Sequence, residues 1–158
     1  MNLVLRVTQA PNGSFYLPIP EEAALKILAT FGRRILCVVS ERPVLHCAVL
    51  RQKDLGYYIM LGKTSRARLG VELGEELMVQ IRQDTSKYQA AVPEELLAVL
   101  QTDPEGEARF GALTAGKKRS IIHYINTAKQ SETRINRALK LVERLKLGVT
   151  SQKELFRP

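Results

Sequence analysis

Basic side chains are the residues of this sequence best suited to chemistry, and they concentrate in one stretch of the second half. Between Thr114 and Gly148, nine Lys and Arg residues face only two acids, a balance of +7 within the formal net charge of +8 of the whole chain. Such a concentration favours an anionic partner, because Lys and Arg residues that contact phosphates add salt-dependent affinity. A basic composition that serves only solubility is the alternative interpretation.

Three of these cations recur at helical spacing. Arg137, Lys140 and Arg144 lie at positions i, i+3 and i+7 and therefore form one stripe on a helix, which we predict to face outward. The stripe indicates a binding face for nucleic acid or another phosphate-bearing ligand, and a solvated face with local pairing to Glu143 is the alternative. With neighbouring cations and a secondary pair in the first half, the candidate anion-binding residues are Lys117, Lys118, Lys129, Arg137, Lys140, Arg144, Arg66 and Arg68.

Catalytic motifs are missing from the sequence. It contains no nucleophile elbow, no Walker loop and no dinucleotide fingerprint, and its acids form no obvious catalytic pair. We therefore expect a non-catalytic protein without a cofactor. An enzymatic site is the alternative, and its only starting points are Glu132 and Arg134 beside Tyr124.

Histidines and cysteines are too few and too scattered for a metal site. His46 and His123 lie in different segments, and no cluster has metal-ligand spacing, so we predict no metal. Cys37 and Cys47 lie in alternating apolar runs. We predict that both are buried reduced thiols, with a disulfide or redox pair as the alternative.

The elements of the first half follow from an internal repeat with an offset of 42 residues. Each half of residues 1–84 has the pattern strand, turn, strand, short helix, glycine and strand. Three strands alone make a marginal sheet, whereas two interlocked halves bury a shared face and leave no exposed edge. We predict an α+β protein in which residues 1–84 form a pseudo-symmetric six-stranded β-barrel, and chance alternation is the alternative.

The second half has a helical period. Residues 85–92 are predicted to be a linker, residues 93–148 a small helical module and residues 149–158 a tail. Thr114 and Ser131 are predicted N-caps, and Gly148 ends the last helix. That helix is predicted to face the core with Ile135, Ala138, Leu139, Val142 and Leu145.

Arg134 follows the predicted cap in the first helical turn, where a cation is unfavourable. We therefore expect it to form an ion pair with another part of the fold, and a ligand contact is the alternative.

No targeting or membrane signal stands out. The N-terminal residues have no basic leader before a long apolar run, and no apolar stretch approaches the roughly 20 residues of a membrane helix. We expect no membrane span and a cytoplasmic location.

The spacing Y-I-x-x-A-K-x-x-E-T-R-x-x-R within the basic stretch resembles the signature of the bacteriocin-protection, YdeI or OmpD-associated family. The resemblance covers roughly residues 90–148. Its motif residues, which we predict to be structural, include Tyr124, Ala128, Glu132, Thr133 and Arg134, and Arg137, Lys140, Glu143 and Gly148 also match.

The first half also contains Gly13, the segment Leu17-Pro18-Ile19-Pro20, the Tyr57-Tyr58 strand and the region from Arg66 to Gly74. In these residues it resembles the small barrel domain of unknown function that often precedes this module in bacteria. Such barrels are similar to the AbrB-type swapped-hairpin or double-psi class. AbrB-type DNA binding uses a symmetric arginine-rich face, whereas only the second repeat here is basic in this region, with Arg66 and Arg68. The resemblance thus implies a link to bacteriocin or envelope stress without naming an activity. A protein-interaction or stress-protection factor with no nucleic-acid role is the alternative function.

Overall fold

The computed structural model describes residues 1–158 and contains seven helices and two four-stranded antiparallel sheets, which confirms the α+β class. The chain divides into two compact units, Met1–Gln89 and Ala90–Pro158. All strands and two helices lie in the first unit, and the other five helices lie in the second. None of the helices is both long and apolar enough to cross a membrane.

The first unit is built from eight short strands and two helices. Their bounds are β1 Asn2–Arg6, β2 Thr8–Gln9, β3 Phe15–Ile19, α1 Glu21–Phe31, β4 Arg34–Val39, β5 Leu45–Ala48, β6 Leu50–Gln52, β7 Gly56–Leu61, α2 Lys63–Leu69 and β8 Glu76–Gln83. One sheet has the strand order β1-β8-β4-β5 and the other has the order β2-β3-β7-β6. Pairs such as Leu5↔Leu77 and Leu17↔Ile59 place aliphatic side chains in the shared core.

Two single residues connect the sheets. Val7 separates β1 from β2, and Val49 separates β5 from β6. The Val7 N–H donates to the Glu75 carbonyl at 2.9 Å, and the Val49 N–H donates to the Arg33 carbonyl at 3.0 Å. The offset of the internal repeat relates both valines and both acceptors. The structure thus has two four-stranded sheets in place of six uninterrupted strands, and the closed six-stranded barrel stays a prediction.

The core of the first unit contains both cysteines. Cys37 and Cys47 are buried free thiols, as predicted, with their sulfur atoms 3.3 Å apart. The hydrogen bond with Cys47 and burial raise the pKa of the Cys37 thiol well above its usual value. The Cys37 thiol is therefore a poor nucleophile at neutral pH, since the thiolate is the reactive form.

The second unit contains α3 Glu94–Thr102, α4 Pro104–Gly111, α5 Ala115–Asn126, α6 Ser131–Lys146 and α7 Gln152–Leu155. Thr114 caps α5, because its side chain accepts from the Lys117 N–H. The predicted cap at Ser131 is wrong: Gln130 is the N-cap residue of α6, and the Ser131 hydroxyl donates to Glu95 instead.

The apolar face of α6 also differs from the prediction. Ala138, Val142 and Leu145 are buried as expected, but Ile135 and Leu139 are 41% and 47% exposed. The buried stripe contains Leu141 instead, since α6 packs on α3 and α4 along that side.

Candidate anion-binding site

Arg134 fixes the start of α6. Its Nε and Nη2 atoms both lie 2.8 Å from one carboxylate oxygen of Glu95 in α3, which is the ion pair expected from its unfavourable helix position. Its Nη1 atom donates to the carbonyls of Ala128 and Lys129. The Ser131 hydroxyl and Arg134 hold the pKa of Glu95 below its usual value, so the pair is charged at neutral pH.

Arg137 fixes the next turn of α6 against the end of α5. Its Nη1 atom donates to the Tyr124 carbonyl at 2.7 Å and to the Thr127 hydroxyl at 2.8 Å. Its guanidinium carbon lies 4.4 Å from the centre of the Tyr124 ring, and the Phe156 ring stacks on the same tyrosine at 4.6 Å. The guanidinium is therefore held in one orientation by hydrogen bonds and a cation–π contact.

Arg144 holds the C-terminal segment, residues 149–158. Its Nη1 atom donates to the carbonyls of Leu155 and Arg157. The prediction that Arg144 faces outward is wrong, because these carbonyls, left over at the end of the short helix α7, need donors.

A cavity of about 210 Å³ lies along the basic stripe of α6. Its lining residues are Tyr124, Thr133, Asn136, Arg137, Lys140, Leu141, Arg144, Leu155, Arg157 and Pro158. Four of them are cationic, and no Asp or Glu lines the cavity. None of the four cations forms an ion pair, and Glu143 pairs with Lys146 rather than with the stripe. We call this the basic cavity.

Seven of the ten residues that line the basic cavity lie in a segment that matches a known family. Residues 89–148 match the family OmdA, described as bacteriocin-protection, YdeI or OmpD-associated. This match confirms the resemblance at the C-terminal part of the chain. No curated protein and no solved structure gave a match. The OmdA segment ends just before the C-terminal segment, so the cavity wall formed by Leu155, Arg157 and Pro158 lies outside the matched residues.

Polar groups without protein partners complete the cavity. The Thr133 hydroxyl and the Asn136 amide in α6 form no hydrogen bond with the protein, nor does the Lys140 ammonium. The hydrogen bonds of Arg137 and Arg144 use a single nitrogen each, Nη1. The cavity therefore presents several donors and no acidic side chain, an arrangement that suits an oxyanion.

The other predicted cations of the OmdA segment do not line the cavity. Lys117 and Lys118 lie in the first turn of α5, where no acid opposes them, and Lys129 is exposed between α5 and α6. The structure thus brings together Arg137, Lys140 and Arg144 from the candidate set.

The predicted secondary pair lies in the first unit and has a local explanation. Arg66 and Arg68 are in the last turn of α2, where cations interact well with the helix dipole. The Arg66 guanidinium carbon lies 3.9 Å from the centre of the Phe15 ring. Arg66 thus supports packing within the first unit.

Sequence reasoning missed Arg157 and Asn136 as members of the site. Ser151 and Glu154 have the S-x-x-E spacing of a capping box, which predicts a helix start within residues 149–158, the predicted tail. In the structure the Ser151 hydroxyl caps α7 by accepting from the Glu154 N–H, and it donates to the Glu154 carboxylate. Helical spacing also indicates Asn136, because it lies one turn before Lys140 on the same face of α6.

A second polar network lies in the first unit. Asp84, the one buried charged side chain, accepts from the Ser86 N–H and hydroxyl, and its other oxygen lies 2.7 Å from His46 Nδ1. Burial alone would raise the pKa of Asp84, but the hydrogen bonds from Ser86 and His46 outweigh it and lower the pKa below its usual value. This network ties the end of β8 to β5, and no group of acids, His and Cys is placed to hold a metal ion.

Proposed function

We propose that the protein binds an anionic partner, a nucleic acid or another phosphate-bearing ligand, through the basic cavity. The proposal rests on one observation: Arg137, Lys140, Arg144 and Arg157 line a single concave site and none has an acidic partner. Cations placed together repel one another, so a bound anion stabilises the arrangement. The role that we propose for the cavity is binding rather than catalysis.

The biological setting that we propose follows from the family description. The OmdA match supports a link to bacteriocin or stress protection. We further propose that the protein acts in the cytoplasm and that anion binding is its part in this role. The first unit, in this proposal, is a six-stranded barrel of the AbrB-like or double-psi type. The bends at Val7 and Val49, which pass the chain from one sheet to the other, support it.

Charge reversal inside and outside the cavity tests the proposal. A fluorescently labelled single-stranded oligonucleotide and a labelled phosphorylated small molecule serve as probes, each titrated with the full chain. Lys140→Glu should weaken binding by about tenfold or more, because it replaces one charge-assisted contact with a repulsive one. The matched control Lys129→Glu, an exposed lysine outside the cavity, should change affinity far less.

Salt dependence supplies the second readout. Affinity for the oligonucleotide should fall steeply between about 50 and 200 mM salt, since displaced counterions carry much of the binding free energy. Affinity that ignores salt, or equal losses for Lys140→Glu and Lys129→Glu, would contradict the proposed site.

A protein partner is the second candidate function, and an exposed apolar groove favours it. The groove has a volume of about 420 Å³ and lies between α3 and α6, where Ala98, Val99 and the exposed Ile135 form its apolar part. Its other lining residues are polar: Glu94, Glu95, Thr102 and Ser131. A partner retained in a pull-down after nuclease digestion, and lost with Ile135→Asp, would support this function. Loss of all captured material on digestion would leave nucleic acid as the partner.

A further inference from the structure

We infer that the basic cavity recognises a terminal phosphate, the dianionic group of a phosphomonoester, rather than the backbone or bases of a nucleic-acid strand. This inference rests on the proposed anion site and specifies its ligand.

The aromatic residue of the cavity is not available for base stacking. The Arg137 guanidinium and the Phe156 ring lie 4.4 Å and 4.6 Å from the Tyr124 ring centre. Arg137 contacts the ring by a cation–π interaction and Phe156 by stacking, so the ring already has two partners within the protein. Proteins that bind single strands stack bases on free aromatic rings, and Tyr124 is the one aromatic residue that lines this cavity.

The donors of the cavity match a compact group with several charged oxygens. Arg137 and Arg144 are oriented by backbone carbonyls through Nη1, which leaves their remaining N–H groups for a ligand. The side chains of Thr133, Asn136 and Lys140 add donors from the same helix. A phosphomonoester carries about −1.5 to −2 charge at pH 7 and three strong acceptor oxygens, whereas a backbone phosphodiester carries a single charge.

The size of the cavity also favours a small group. Its volume of about 210 Å³ lies below the roughly 300–1,000 Å³ of pockets that enclose drug-sized ligands. A phosphate with a short substituent fits such a space, whereas a continuous strand has to enter and leave it. The predicted cations Lys117, Lys118 and Lys129 do not line it.

Two sources share this chemistry: a free phosphorylated small molecule and the phosphorylated end of an oligonucleotide. Both present a phosphate with one ester bond. Calorimetric titration of the full chain can separate them with four probes: ethyl phosphate, diethyl phosphate, and one single-stranded oligonucleotide with either a 5′-phosphate or a 5′-hydroxyl end.

Ethyl phosphate should bind more tightly than diethyl phosphate, by about tenfold or more, and the 5′-phosphorylated oligonucleotide should exceed the 5′-hydroxyl form by a similar factor. The reason is that the dianion gains at least one further charge-assisted hydrogen bond. Affinity for ethyl phosphate should fall as the pH falls below about 6, where the second phosphate proton is bound. Lys140→Gln should reduce the preference for monoesters, and Lys129→Gln should leave it unchanged. If the 5′-phosphorylated oligonucleotide binds more tightly than ethyl phosphate, the source of the phosphate is a strand end. If these two probes bind with equal affinity, the source is a small molecule.

A 5′-hydroxyl oligonucleotide that binds as tightly as its 5′-phosphorylated form would overturn the inference. If that binding weakens with salt and with the substitution of Lys140, the proposed anion site would still hold. Failure of all four probes to bind would overturn the anion site, and the inference with it.

Discussion

Substitution of Gly106 by alanine tests the packing that positions the cavity helix. Gly106 lies in α4 against α6, and a methyl group there would come within 2.2 Å of Val142 Cγ1 and 3.0 Å of Asp103 Cγ. Carbon atoms normally pack at about 3.5–4.0 Å, so the overlap with Val142 exceeds about 1 Å. Val142 is 1% exposed and β-branched, so it has no free rotamer into which to move.

The expected cost follows from two opposing terms. Overpacking of this kind costs about 1–3 kcal/mol, and the better helix propensity of alanine returns up to about 1 kcal/mol. The approach of 2.2 Å to Val142 places the overpacking cost in the upper part of its range, about 2–3 kcal/mol, so Gly106→Ala should lower the free energy of unfolding by about 1–3 kcal/mol. The matched control is Gly111→Ala in the same helix. A methyl group added there meets nothing within 4 Å outside its own helix backbone and chain neighbours, so this substitution should be neutral or mildly stabilising.

Urea denaturation followed by far-ultraviolet circular dichroism measures both variants, because most helices lie in the second unit. The denaturation midpoint should fall for Gly106→Ala and stay or rise for Gly111→Ala, with an unchanged slope. A Gly106→Ala protein as stable as the wild type would refute the close approach of α4 and α6.

Three other substitutions test the polar contacts. Glu95→Gln should lower the free energy of unfolding by about 2 kcal/mol at pH 7, because it removes the charge partner of Arg134. Since the pKa of Glu95 is lowered in the folded protein, the difference between variant and wild type should shrink as the pH falls below 4.5. Thermal melts at pH 3 and pH 7 that show equal losses of stability would count against the pair. Arg144→Gln should speed proteolysis within the C-terminal segment with little change in the melting midpoint, and unchanged cleavage would mean that Arg144 does not hold the segment. Asp84→Asn should destabilise the first unit by about 1–3 kcal/mol, because an amide offers only one acceptor oxygen where the carboxylate accepts on both, and an unaltered melting midpoint would disprove this role.

Periodicity made much of the fold predictable. Alternating apolar residues located the strands, and Gly32 and Gly74, with φ of 75° and 82°, turn the chain where glycine is needed. The 3.6-residue period located the second-half helices, and Thr114 is a cap because its side chain acts locally. Local patterns of this kind are visible in sequence because the interacting residues are neighbours in the chain.

The candidate site was only partly predictable, because its contacts join distant positions. The prediction of an outward-facing stripe on α6 was correct for Lys140 alone. Arg137 and Arg144 donate to the carbonyls of Tyr124 and Leu155, and the spacing of residues in the sequence does not show where these carbonyls lie. Ser131 has the residue type of a cap, but Glu95 of α3 provides a charged acceptor for its hydroxyl. Tertiary partners thus decided which of two plausible local roles each side chain adopts.

The location of bound phosphate tests the central claim most directly. Titration of the ¹⁵N-labelled full chain with ethyl phosphate, followed by amide chemical shifts, maps the residues around the ligand. We predict saturable shifts centred on Arg137, Lys140, Arg144 and Arg157, which line the basic cavity. Shifts centred instead on residues 117–119, or none at phosphate concentrations that saturate the calorimetric signal, would contradict it.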